Sequence, residues 1–126
     1  MGSGLDYLPV VVDSVERRSL RNSALRRWVD QARRELGERR QRRKIPRPLR
    51  APRSYLLRLQ AVEHWAQEEL ANLSQALDLL EAYCRDSKPE RLGLARRHFD
   101  LAVRDFEQYR TVLMDLCSGP GCYVAA

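Results

Sequence analysis

Apolar residues recur at alternating steps of three and four along two long stretches of the chain. The first series is Leu59, Val62, Ala66, Leu70, Leu73, Leu77, Leu80 and Cys84, and the second is Leu92, Ala95, Phe99, Ala102, Phe106, Tyr109, Leu113 and Leu116. Such spacing forms a continuous apolar seam on a helix and requires a partner helix of similar length. Because only residues 85–87 separate the two helices, they must form an antiparallel hairpin.

The rest of the pattern completes an all-α fold in a single domain of residues 1–126. We predict an antiparallel bundle of three to four helices over about 14–36, 54–84 and 88–117, with a break near residue 22 left open. Residues 1–13 are expected to form an extended arm that carries a short apolar segment, and residues 38–53 a basic loop rich in proline and arginine. The length suits one domain, and the low glycine and proline content favours helices.

Composition restricts the setting in which such a chain works. No apolar run approaches the roughly 18 residues that span a bilayer, and residues 1–4 lack the features of a secretory signal. Three cysteines without a secretory context favour reduced thiols, although a bridge between Cys117 and Cys122 is left open. We therefore expect a cytoplasmic protein, nuclear if the source is eukaryotic, with no membrane partner.

Positive charge is concentrated in the first part of the sequence. Residues 1–53 contain fifteen Lys or Arg against six Asp or Glu, whereas residues 54–126 contain eight against eleven. Only Lys44 and Lys88 are lysines, and arginine binds phosphate through two parallel hydrogen bonds. This asymmetry indicates a polyanionic partner.

The stretch 38–53 has almost no apolar residue to bury, so we expect it to lie outside the core and to be mobile until an anion neutralises it. It has no aromatic residue, which disfavours binding by base stacking and favours contact with a phosphate backbone. Nucleic acid is thus the expected partner, RNA more than DNA. The candidate nucleic-acid-binding residues are Arg26, Arg27, Arg33, Arg34, Arg39, Arg40, Arg42, Arg43, Lys44, Arg47, Arg50 and Arg53.

Two other interpretations of the charge stay open. The arginines could match an acidic protein, which would make the chain a helical adaptor or assembly factor, or they could belong to a solvated linker. At least one protein partner is expected, and a homo-oligomer is left open. The candidate protein interface is Leu5, Tyr7, Leu8, Val10 and Trp65.

Catalytic and metal-binding patterns are weak. His64 and His98 are expected at opposite ends of the hairpin, too far apart to share a metal, and Cys117 with Cys122 falls short of a zinc site. We therefore predict no enzyme activity, no metal and no cofactor.

Two spacings resemble the HEPN family of helical ribonucleases, which carry an arginine and a histidine four to six residues apart on one helix. Arg58 with His64 and Arg91 with His98 are similar to that pattern. The family usually has a polar residue after the arginine, and Leu59 and Leu92 depart from this. A HEPN-like ribonuclease is therefore a remote alternative.

In size and charge the chain also resembles the small helical subunits that line nucleic acid in ribonucleoprotein effector complexes, including CRISPR effectors. This likeness implies a non-catalytic nucleic-acid-binding subunit of a larger nucleoprotein complex.

Overall fold

The computed structural model describes residues 4–118, and these residues form an all-α bundle. A 3-10 turn, Gly4–Tyr7, leads into helices that we number α1 to α4. Their bounds are Leu8–Glu16 for α1, Asn22–Arg42 for α2, Arg53–Asp86 for α3 and Glu90–Ser118 for α4. No strand occurs within this part of the chain. The predicted fold class is confirmed.

Helices α3 and α4 form the predicted antiparallel hairpin. They contain 34 and 29 residues, which corresponds to lengths of about 51 and 43 Å. Ser87 ends α3 in the left-handed conformation, with φ 54°. The carboxylate of Asp86 then accepts the backbone N–H of Lys88 at 3.0 Å and pairs with Arg91 at 3.0 Å. Both contacts lower the pKa of Asp86, and the hydrogen bond from the backbone N–H of Lys88 has the larger effect.

Helix α2 runs antiparallel to α3 along one side of the hairpin. Near the start of α2, the Sγ of Cys84 lies 4.0 Å from the carbonyl oxygen of Asn22. Farther along, Arg33 pairs with Asp78 of α3. Helix α1 packs instead on α4, where Arg96 pairs with Asp13 and Glu16 of α1. The two N-terminal helices therefore brace different helices of the hairpin.

Residues 4–16 are helical, whereas the sequence predicted an extended arm over residues 1–13. Leu5, Leu8 and Val12 are 0% exposed and are spaced three and four residues apart, which is the period of a helix. The β-branched run Val10–Val12 has a local preference for extended backbone. Burial of one face of α1 against the hairpin outweighs that local preference.

The predicted helix over 14–36 has different bounds in the structure. Helix α1 ends at Glu16, and α2 begins at Asn22 after a connection in which Arg18 has a φ of 57°. The break near residue 22 is confirmed in this form. Helix α2 then continues to Arg42, six residues beyond the predicted end, into the stretch that we expected to be a loop.

The core has two parts that divide the hairpin along its length. The larger part joins α1 and α2 to the half of the hairpin nearest its connection, with Leu25, Leu77 and Leu92 among its buried members. The smaller part lies between the start of α3 and the end of α4 and includes Tyr55 and Leu116. Residues 43–52, which link α2 to α3, cover this second part through Ile45 and Ala51.

Leu77→Ala should lower the free energy of unfolding by about 2–5 kcal/mol, since Leu77 is 0% exposed in the larger core and its loss leaves a cavity. Urea denaturation followed by circular dichroism measures this change. Leu57→Ala is the matched control, because Leu57 is 55% exposed and its truncation should cost within about 0.5 kcal/mol. Equal losses in the two variants would contradict the assignment of Leu77 to the core.

Candidate nucleic-acid interface

One carboxylate lies buried between the basic stretch and the hairpin. Glu69 on α3 is 2% exposed. Its Oε1 accepts the Nε–H of Arg43 at 3.0 Å, and its Oε2 accepts an Nη2–H of the same guanidinium at 3.3 Å. Arg39 donates to Oε2 at 3.4 Å, and its other Nη lies 3.3 Å from Asp6. We call Glu69, Arg39, Arg43 and Asp6 the Glu69 cluster.

Arg43 also lies over aromatic rings of α4. Its guanidinium carbon is 4.8 Å from the ring centre of Tyr109 and 5.2 Å from that of Phe106. The two rings are stacked with their centres 6.2 Å apart. Burial raises the pKa of the Tyr109 hydroxyl. Arg43 therefore joins α2 to both helices of the hairpin through an ion pair and a cation–π contact.

The Glu69 cluster corrects the prediction that residues 38–53 lie outside the core. The side chains of Arg39 and Arg43 are only 12% and 16% exposed. The signal for this is present in the sequence, because both arginines continue the three-and-four spacing of the apolar stripe that ends at Leu36. The apolar residues themselves end at Leu36, and arginine is almost never buried without a partner.

Glu69 is the partner that sequence analysis missed. Glutamate side chains normally face solvent, but that of Glu69 is 2% exposed. Glu69 follows Ala66 by three residues and precedes Leu73 by four, so it occupies a position in an apolar seam. A buried carboxylate requires compensation, and the two buried arginines provide it.

Two further candidate residues are held by ion pairs on the surface of the hairpin. Arg33 donates to Asp78 at 2.8 Å and to Glu81 at 2.5 Å, and its hydrogen bond to Asp78 is the main cause that raises the pKa of Arg33. Arg47 in the linker pairs with Glu63 at 2.8 Å. These contacts hold α2 and the linker against α3.

The other candidate cations have exposed side chains and form no ion pair with residues 4–118. They are Arg26, Arg27, Arg34, Arg40, Arg42, Lys44, Arg50 and Arg53. All lie on α2, in the linker or at the first position of α3. The structure thus divides the predicted set into four residues that bind carboxylates of this chain and eight that face solvent.

The candidate protein-interface residues also divide. Leu5 and Leu8 are 0% exposed and form part of the core, so they are not available to a partner. Tyr7 and Val10 are 57% and 59% exposed. Trp65 is half-buried against the smaller core and lies edge-on to the ring of His64 at 5.0 Å.

His98 and His64 lie on different helices of the hairpin and have different surroundings. Nδ1 of His98 lies 2.9 Å from Oδ1 of Asn72, and the amide of Asn72 donates to Asp105 at 2.8 Å. The pairing of His98 with Asn72 puts His64 about 12 Å away along the axis, closer than we expected but still beyond shared ligation. Within residues 4–118, no three His, Cys, Asp or Glu residues are grouped as metal ligands.

The pairs that resemble the HEPN pattern have their arginines engaged locally. Arg91 binds Asp86 at the end of the hairpin. The Nε–H of Arg58 donates to the carbonyl oxygen of Ser54 at 3.3 Å, and His64 is exposed.

Comparison with family models, with curated proteins and with solved structures gives no match for this chain. Among the helices that the structure describes, none combines the length and apolar character needed to cross a membrane. Function must therefore be argued from the surface itself.

Glu69→Ala should lower the free energy of unfolding by roughly 3 kcal/mol, because the largely buried guanidinium groups of Arg43 and Arg39 each lose a carboxylate that they bind. The control is Glu68→Ala, which removes an exposed carboxylate one position earlier on the same helix and should change stability by less than about 0.5 kcal/mol. Thermal and urea denaturation measure both. Equal stability of the two variants would show that the Glu69 cluster is not structural.

Proposed function

We propose that the protein binds nucleic acid through the phosphate backbone, without catalysis, as a helical subunit of a larger nucleoprotein complex. The observation that supports this most directly is the set of eight exposed cations on α2, in the linker and at the first position of α3, which form no ion pair with residues 4–118. RNA is the preferred partner, and the proposal also allows binding to the phosphate backbone of other duplexes. The compartment that follows is the cytoplasm, or the nucleus if the source is eukaryotic.

The chemistry of these cations supports phosphate binding. Seven of the eight are arginines, whose planar guanidinium matches two phosphate oxygens at once. They lie on one helix and its adjoining linker, so a continuous backbone can contact several of them. Each neutralised phosphate releases condensed counterions, which favours binding at low salt.

The Glu69 cluster changes how these cations are presented. Arg39 and Arg43 hold the last turn of α2 against the hairpin, so Arg40 and Arg42 extend from an ordered helix. A preformed helix loses less conformational entropy on binding than a mobile stretch. Aromatic side chains do not accompany these cations on α2: Trp28 is half-buried against the larger core. Contact with phosphates is therefore favoured over stacking with bases.

A protein partner with an acidic surface is the second candidate. Leu49 is fully exposed in the linker, between Pro48 and Arg50, and an apolar side chain among arginines suits a pocket with an acidic rim. Tyr7 and Val10 add a separate exposed apolar patch. A HEPN-like ribonuclease is a more remote alternative, and unchanged RNA cleavage after His98→Ala would exclude it.

Fluorescence anisotropy with a labelled 20-base-pair RNA duplex tests the proposal. We expect micromolar affinity at low salt, with a slope of log affinity against log salt equivalent to roughly 4–6 phosphates. The triple variant Arg34→Glu, Arg40→Glu and Arg42→Glu should bind at least about 100-fold more weakly, because repulsion replaces attraction at each site. Its thermal melting should stay close to that of the native chain, since all three side chains are exposed.

The matched control reverses three exposed arginines of α4 instead: Arg97→Glu, Arg104→Glu and Arg110→Glu. It makes the same change in net charge and should retain most of the affinity. Equal losses in the two triple variants would indicate attraction by overall charge without a surface on α2. Failure of the native chain to bind either RNA or DNA duplex at about 100 mM salt would overturn the proposal.

A further inference from the structure

An open glycine lies in the middle of the basic surface of α2. Gly37 is fifteen residues past the start of a 21-residue helix. Glycine within a helix costs about 1 kcal/mol relative to alanine. A Cβ at this position would meet no atom within 4 Å, so packing within the described chain does not require the glycine. At Gly4, by contrast, a Cβ would lie 3.0 Å from a carboxylate oxygen of Glu35.

Cationic and amide side chains surround Gly37 on the helix surface. The positions three and four residues away on a helix are its nearest surface neighbours. For Gly37 these are Arg33, Arg34, Arg40 and Gln41. Because Gly37 has no side chain, the helix backbone forms the base of a shallow notch among them. A ligand can approach this backbone more closely than at any position that carries a Cβ.

The charge around the notch favours an anion. Arg34 and Arg40 are exposed and form no ion pair with residues 4–118. Arg33 is held at the edge of the notch by Asp78 and Glu81, which use a single Nη of its guanidinium. Glu38 adjoins Gly37 in sequence but is 100° farther around the helix, where it lies four residues from Arg34. The nearest surface positions to the glycine therefore carry three guanidinium groups, an amide and no carboxylate.

We propose that the Gly37 notch is a phosphodiester seat, in which one phosphate of a nucleic-acid strand rests against α2 between Arg34 and Arg40. This inference rests on the proposed function and assigns its point of closest contact. Arg34 and Arg40 donate to the phosphate oxygens from opposite sides, and Gln41 donates its amide. The strand then continues toward Lys44 in one direction and toward Arg27 in the other, since both lie within about 80° of Gly37 around the helix.

A second open glycine provides the control. Gly93 is also helical, on α4, and a Cβ there would likewise meet nothing within 4 Å. Gly93 is not proposed as a phosphate site, because its surface neighbours differ from those of Gly37. Its neighbours include the carboxylate of Glu90, and its neighbour Arg96 is paired with Asp13 and Glu16. The same substitution at the two glycines therefore distinguishes the effect of filling the notch from the effect that any glycine replacement has on a helix.

The test compares Gly37→Leu with Gly93→Leu. Leucine favours the helix, so both variants should melt at or above the temperature of the native chain. Gly37→Leu fills the notch without altering any charge and should weaken binding to the RNA duplex by at least about fivefold, with a salt slope reduced by roughly one phosphate. Gly93→Leu should bind within about twofold of the native chain.

The outcomes distinguish this inference from the function on which it rests. If the native chain binds duplex RNA and Gly37→Leu binds equally well, the assignment of a phosphate site to the Gly37 notch is wrong and the proposed function stands. If the native chain binds no nucleic acid, the proposed function fails first. Vesicles of phosphatidylglycerol present phosphodiesters without a strand, and binding to them as strong as to RNA would overturn the assignment to nucleic acid.

Discussion

The arrangement of this protein depends on the burial of one carboxylate. Glu69 lies 2% exposed in an apolar seam of α3, where an uncompensated charge would destabilise the fold by several kcal/mol. Arg39 and Arg43 compensate it, and Arg43 then lies over the rings of Phe106 and Tyr109. The position of the last turn of α2 against α3, and hence the surface that Arg40 and Arg42 form there, follows from this requirement.

The same cluster gives adjacent arginines different roles. Arg39 and Arg43 face the hairpin, whereas Arg40 and Arg42 face solvent, because successive residues of a helix are 100° apart. A reversal of charge at all four positions would therefore combine a loss of fold with a loss of binding. Variants that separate the two effects must leave Arg39 and Arg43 in place.

The sequence was sufficient for the hairpin because its seams extend over seven turns, far longer than chance would produce. The sequence was not sufficient to predict the helical conformation of α1 or the position where α2 ends. The valines of α1 favour extended backbone until burial of Leu5, Leu8 and Val12 is considered. Arginines that continue the stripe of α2 look like solvent-facing residues until their partner is known. That partner, Glu69, is thirty residues from Arg39, and only the tertiary structure brings them together.

The divided core has a consequence for how the molecule opens. Helices α1 and α2 cover only the half of the hairpin near its connection, and the far half is covered on one side by the linker of residues 43–52. The far half has fewer buried apolar residues, so we expect local unfolding to begin there. Such an opening would release the linker with Arg47 and Arg50 and leave the backbone amides around Leu77 protected from hydrogen exchange. The basic surface would then consist of a fixed part on α2 and a part that detaches and reattaches.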